Sequence, residues 1–260
     1  MSLSARAEFS SAIDWVGARL ADSRAADRGK FTGRSIVGVV ALSLVSALGA
    51  VTMVAGLHDI RSVIQLGPGL APMQFNTALC FFLSGMALLL RNVFRQFKVF
   101  AGILVGSLAL ATSLQYLTGL NFGIDTFVVT SDITDRTSHV GRMSIGTASA
   151  FMFTGIAITL SSLRLPRSVR PPMLEFLALL LFAAACEGVL SHTIMVDATT
   201  LWPLFYGMAI QTSFGFFCLA VALIDMSWTT QRHHGANARS RWGLSGAFAV
   251  ATMFDLLSPV

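Results

Sequence analysis

The sequence predicts an all-α integral membrane protein with six to seven transmembrane helices built from three two-helix repeats. Three observations predict it. Of 260 residues, 54% are apolar and 12% charged, with a mean hydropathy of +0.71, whereas soluble domains carry about a quarter charged residues. Apolar runs of about twenty residues recur, each long enough to cross roughly 30 Å of hydrocarbon. Every second run also carries the same letters at the same spacing.

The elements follow in chain order. Residues 1–35 form a basic leader that is no signal peptide, because Glu8 and Asp14 interrupt any apolar core. Phe9, Ile13, Val16 and Leu20 keep helical spacing beside Arg19, Arg24, Arg28, Lys30 and Arg34. An interfacial helix on an anionic leaflet and an ordinary solvated leader are equal alternatives here. Six spans are predicted at about 36–57, 73–90, 98–117, 143–163, 173–192 and 206–226. Residues 227–260 supply a basic cytoplasmic loop and a weaker seventh candidate, about 242–257, with Asp255 near its end.

Charge orients the chain. Fifteen of the eighteen Lys and Arg fall in the leader, the second and fourth connections and the stretch after span six. The opposite loops hold Arg61, Arg136 and Arg142 alone. The positive-inside rule therefore places the N-terminus in the cytoplasm. The basic residues need no nucleic-acid partner; the lipid bilayer accounts for them.

The repeat lies in the even-numbered spans. They read "MQFNTALCFFLSGMALLL", "MSIGTASAFMFTGIAITL" and "MAIQTSFGFFCLAVALID", with starts 70 and 65 residues apart. Met73, Met143 and Met208 coincide. So do Thr77, Thr147 and Thr212; Phe81, Phe151 and Phe216; and Gly85, Gly155 and Ala220. Steps of four drift only about 40° around a helix, so each set forms one stripe. In lipid, close helix contact depends on small residues and hydrogen bonds. The stripes are read first as a packing seam of three repeats, about 36–90, 98–163 and 173–226, and second as walls of a ligand cavity. Pro72, Gly141, Pro203 and Gly207 mark where the repeat helices begin.

Polar groups inside spans are costly, about 2.5–3.5 kcal/mol for a charge at the centre, and so mark candidate sites. Glu175 and Asp225 lie near cytoplasmic span ends and are expected to snorkel or pair with Arg170 or Arg232. Glu187 sits in the outer half of span five, with His192 beyond it; His58 and Asp59 end span one, and Gln115 and Tyr116 end span three. Glu187, His192, His58, Asp59 and Tyr116 are therefore the candidate ligand-binding set, with solvated interfacial residues as the plainer alternative. The long outer loop, about 119–142, holds Asp125, Asp132, Asp135 and His139, its acids read as solvated first and as cation ligands second, and a TFVVT run that suits a strand or a cap. Cys80, Cys186 and Cys218 fall inside spans without CxxC or metal-ligand spacing, so they read as small apolar packing residues and no metal is expected. No catalytic set and no cofactor motif is visible.

The segments "NTALCF" with Gly85, "GID" at 123–125, and "GRMS" at 141–144 with Thr147 and Ala148 resemble a known family. It is the N-terminal multi-span sensory module of bacterial sensor histidine kinases and GGDEF diguanylate cyclases. Gly146 and Gln211 depart from its usual letters. The resemblance implies a signal-input module in the bacterial inner membrane, with kinase or cyclase chemistry carried elsewhere. The chain itself is then not an enzyme. The alternative is an accessory subunit of a larger membrane complex, and a homodimer or such a complex is the expected protein partner.

The orientation is testable by labelling in a background free of the three native cysteines. Single cysteines at Ser131 and Thr199 should react with an impermeant thiol reagent outside intact cells, and one at Ser168 should not. Labelling of the Ser168 variant in intact cells would overturn the six-span assignment.

Overall fold

The computed structural model describes residues 35–90, 94–125, 128, 139, 141–163, 165–166, 168–193 and 207–232. Seven helices occur among the described residues: α1 Ile36–Leu57, α2 Arg61–Ile64, α3 Phe75–Leu89, α4 Arg95–Thr118, α5 Ile145–Ser162, α6 Arg170–Thr193 and α7 Ile210–Arg232. The leader, the seventh candidate span and nearly all of the TFVVT run lie outside the described residues.

Five helices, α1, α4, α5, α6 and α7, are long and apolar enough to cross a membrane. The expected second span is shorter than its apolar run. Its helix α3 has fifteen residues, about 22 Å at 1.5 Å per residue, against roughly 30 Å of hydrocarbon. Pro72 disfavours helix at Ala71, and Gln74 is extended (φ −71°, ψ 152°), so the helix starts at Phe75. Ala71, Met73 and Gln74 are nevertheless buried. The apolar letters that extend the run are used by packed, non-helical chain.

Side-chain contacts set the pairing. Gly49 of α1 meets Ala78 and Phe82 of α3, while Gly85 of α3 meets Leu42 and Ser46 of α1. Contacts that climb one helix descend the other, so the pair is antiparallel. The same logic pairs α4 with α5 through Gly102 against Ile158 and Thr159, then Gly106 against Gly155. It pairs α6 with α7 through Gly188 against Ser213 and Ser227 against Glu175. Further packing of α3 on α4, α5 on α6 and α7 on α1 closes these three hairpins into a ring.

Burial separates inner from outer helices. The spans of α5 and α7 are 61% and 67% buried, against 39%, 33% and 39% for α1, α4 and α6. α3 is inner too, with Asn76, Thr77, Phe81, Ser84 and Gly85 all buried. The outer helices turn Val40, Leu44 and Val51 of α1, and Phe100, Ile103 and Leu110 of α4, away from the protein. Such faces suit lipid chains.

At the centre the stripe residues meet. The rings of Phe81, Phe151 and Phe216 contact one another with centroids 4.8, 4.9 and 4.8 Å apart, tilted or edge-on. All three are fully buried, in geometry favoured by the ring quadrupole. Gly215 gives room to this cluster, since a Cβ there would lie 2.5 Å from the Phe81 ring. Thr77, Thr147 and Thr212 are buried one turn before the rings, and Ala220 one turn after Phe216.

At the opposite side of each hairpin from its connection, Glu175 Oε1 accepts a 2.7 Å hydrogen bond from Ser227 Oγ. Arg170 Nη2 donates to Ser161 O at 2.9 Å. Asp225 packs its carboxyl against Gly38 of α1. Gly38 stands on no repeat stripe, yet it too is a buried helix-contact glycine.

What each glycine faces ranks the effect of substitution. A Cβ at Gly155 would lie 2.8 Å from Gly102 O and from the backbone of Gly106, whereas at Gly38 it meets the tip of one side chain. Gly155→Ala should destabilise by about 1–3 kcal/mol through overpacking, and Gly38→Ala by less, because a carboxyl swings aside and a backbone does not. Equal losses in a detergent melting experiment would contradict the backbone contact.

Candidate functional site at the distal end

The distal end of the bundle carries the C-termini of α1, α4 and α6 and the N-termini of α3, α5 and α7. All five candidate ligand residues lie there, in three local settings. His58 and Asp59 close α1 and are exposed. Asp59 is left-handed (φ 51°), a conformation Asp tolerates better than most residues. Its bend lets Ile60 N–H return to Ala55 O at 2.8 Å.

Tyr116 and His192 do one job in two hairpins. Tyr116 Oη donates to Met143 O at 3.2 Å, and His192 Nε2 lies 2.7 Å from Met208 O. Each tethers the end of an outer helix to the methionine two residues before the inner helix starts. A carbonyl only accepts, so His192 Nε2 carries the hydrogen. Its Nδ1 is buried and has no partner among the described residues. Glu187 is half-buried. Next to it, Gly188 packs on Ser213 and Met208. Neither Glu187 nor His192 shares a hydrogen bond, ion pair or ring contact with His58, Asp59 or Tyr116.

The strongest polar cluster at this end is built on Asp125, which sequence reasoning left to solvent. Asp125 and Arg142 are buried and paired, Oδ2 to Nε at 2.8 Å. Gln115 Nε2 donates to the same Oδ2 at 2.9 Å and, more weakly, to Asn121 Oδ1 at 3.4 Å. Asn121 Oδ1 also accepts from Gly123 N–H at 2.9 Å, which fixes the turn before Asp125. From α3, Asn76 Nδ2 donates to Ile124 O at 2.9 Å. The Arg142 guanidinium stands 5.4 Å from the Tyr116 ring centroid, a cation–π contact. Tyr116 in turn meets the His139 ring edge-on at 5.9 Å.

Local sequence explains how these groups arrive. α4 ends at Gly119, whose left-handed φ of 70° lets its N–H cap Gln115 O. Gly123 (φ 71°) and Gly141 (φ 78°) supply the other reversals. Ser144 then caps α5, its Oγ accepting from Thr147 N–H. The outcome corrects the reading of Asp125 as a solvated loop acid. The available signal was two opposite charges flanking one connection, each beside a helix end, in a chain with few charges.

This arrangement is a charge-neutral strut joining α3, α4, the connection and α5. Among the described residues, no group of three His, Cys, Asp or Glu is placed to hold a metal ion. The three cysteines are free thiols. Comparison with family models, curated proteins and solved structures finds no match.

Removing one partner leaves a buried charge uncompensated, which typically costs 3–5 kcal/mol. Asp125→Ala and Arg142→Ala should each destabilise the protein by about that much, and the double replacement by clearly less than the total of the two. Additive losses in thermal melts would contradict a direct pair.

Proposed function

We propose that the chain is the membrane input module of a bacterial signalling protein: six spans in three two-helix repeats, with its N-terminus on the cytoplasmic side of the inner membrane. One observation supports this most. Three of the residues that carry the resemblance to sensory modules, Asn76, Asp125 and Arg142, bind neighbouring distal segments to one another. A motif used that way specifies how the helices assemble rather than a chemical reaction. Assembly geometry is what an input module has to transmit.

The centre of the bundle argues against a conduction path. A transporter or channel needs room near its axis, with binding groups at mid-depth. Here three contacting phenylalanines occupy the place where the inner helices converge. A stimulus at the distal end would instead act by shifting the relative populations of two helix packings, through its different affinity for each. Of the five candidate residues, Tyr116 and His192 already hold methionine carbonyls, whereas half-buried Glu187 makes no side-chain hydrogen bond or ion pair among the described residues and suits such a role.

Reading the gene beyond codon 260 tests the assignment. An in-frame kinase or GGDEF region supports the input module; a stop codon together with a co-purifying membrane complex supports an accessory subunit. In the signalling case, Glu187→Gln should change kinase or cyclase output several-fold while moving the melting temperature little. A large loss of stability with unchanged output per folded molecule would make Glu187 a packing residue.

A further inference from the structure

The exposed apolar rows of the outer helices continue where the helices stop. On α1 the row reaches Val54 and Leu57, and beyond the helix end Ile60 and Leu66 are exposed as well. On α4 it reaches Leu114 and Leu117, followed by Leu120 and Phe122. The two extensions correspond. Gly106 stands sixty residues after Ser46, and these two residues face Gly155 and Gly85 in their own hairpins. In that register Leu117 matches Leu57 and Leu120 matches Ile60. Residues 52–60 and 112–120 agree in burial at every position, although few of their letters agree. The corresponding stretch of the third hairpin lies outside the described residues.

Each extension has a fastened inner side. Gln211 Nε2 of α7 donates to Val63 O and Ile64 O, both at 3.2 Å, and Met73 N–H donates to Ile64 O at 2.9 Å. Asn76 Nδ2 of α3 donates to Ile124 O at 2.9 Å, and Leu120 N–H donates to Thr118 Oγ1 at 3.3 Å. The outward side chains are therefore presented by anchored chain. Water suits them poorly because they are apolar. Hydrocarbon suits their main chain poorly: apart from the single turn α2 it is non-helical, and acyl chains offer it no hydrogen bonds. The boundary between headgroups and acyl chains satisfies both demands. His58, Asp59 and Arg61, exposed in the same stretch, suit its polar side. We propose that residues 57–66 and 117–122 are two interfacial feet, and that the lipid surface of the distal leaflet is the partner of this rim. Lipid is favoured over a protein partner because the lipid-suited rows of α1 and α4 run into the feet without a break. The inference rests on the membrane-spanning part of the functional reading and not on signalling.

Spin labels measure the depth directly. Single cysteines replace Leu66, Leu120 or Leu44 in a background free of the three native cysteines. Each is labelled with a nitroxide, and the full chain is placed in phosphatidylethanolamine–phosphatidylglycerol vesicles. Power-saturation EPR then compares collisions with oxygen, which concentrates in hydrocarbon, and with a nickel chelate, which stays in water. Leu44, outward-facing in mid-α1, is the hydrocarbon reference. The oxygen-to-chelate ratio at Leu66 and Leu120 should fall several-fold below that at Leu44 and several-fold above that of a water-soluble nitroxide. A ratio equal to the soluble nitroxide at either site would mean water and overturn the proposal. Poor access to both reagents would mean cover by protein, and a ratio equal to Leu44 would mean immersion in hydrocarbon; each overturns it too. If Leu44 itself favours the chelate, the membrane-spanning reading fails along with the feet. If Leu44 behaves as expected and the distal sites do not, the feet alone fail.

Discussion

Three aromatic rings in mutual contact fix the rest of this bundle. Phe81, Phe151 and Phe216 come from helices that are far apart in sequence, and their centroids lie within 4.9 Å of one another. Rings at that separation hold their helices at nearly constant distance, because a packed core responds poorly to gaps and to overlap alike. The spacing of four then determines the neighbouring layers. Threonine lies a turn to one side and a small residue a turn to the other. The small residues are where outer helices come closest, as at Gly85 against α1 and Gly155 against α4.

Lipid explains why the contacts take this form. Between helices immersed in hydrocarbon there is little hydrophobic drive, so backbone proximity and hydrogen bonds must supply the association. The glycine contacts supply proximity along the length of each hairpin. Among the described residues, hydrogen bonds between segments gather at the distal end, where connections return to buried helix starts. There the Asp125–Arg142 pair, Gln115, Asn76 and Gln211 fasten connections to helices. A burial pattern of apolar centre and polar distal collar follows from where each kind of interaction is effective.

Much of this was legible in the letters, for a physical reason. Helix periodicity is local, so a stripe at steps of four is visible without knowing any partner, and Thr77, Phe81 and Gly85 were identified that way. Span positions were legible because apolar length is set by the bilayer. The short α3 was not, since hydropathy scores Met73 as apolar whether it is helical or extended. Nor was the Asp125–Arg142 pair, whose partners are brought together by three glycine-enabled reversals rather than by spacing. Tyr116 and His192 stood out as polar residues at helix ends and were read as candidate ligand groups. Their partners, the backbone carbonyls of Met143 and Met208, carry no letter at all. The same is true of Asn76 and Gln211, which bond to main chain.

The central claim is that the three inner helices meet through their phenylalanines, and a double-mutant cycle between Phe81 and Phe216 tests it most directly. Replacing each by leucine, singly and together, and measuring stability in one detergent isolates the contact. Aromatic pairs in such contact are typically coupled by about 0.5–1.5 kcal/mol beyond buried area. The account predicts a coupling in that range. Additivity within about 0.3 kcal/mol would mean that the rings do not touch, and would contradict the convergence on which the rest of the bundle depends.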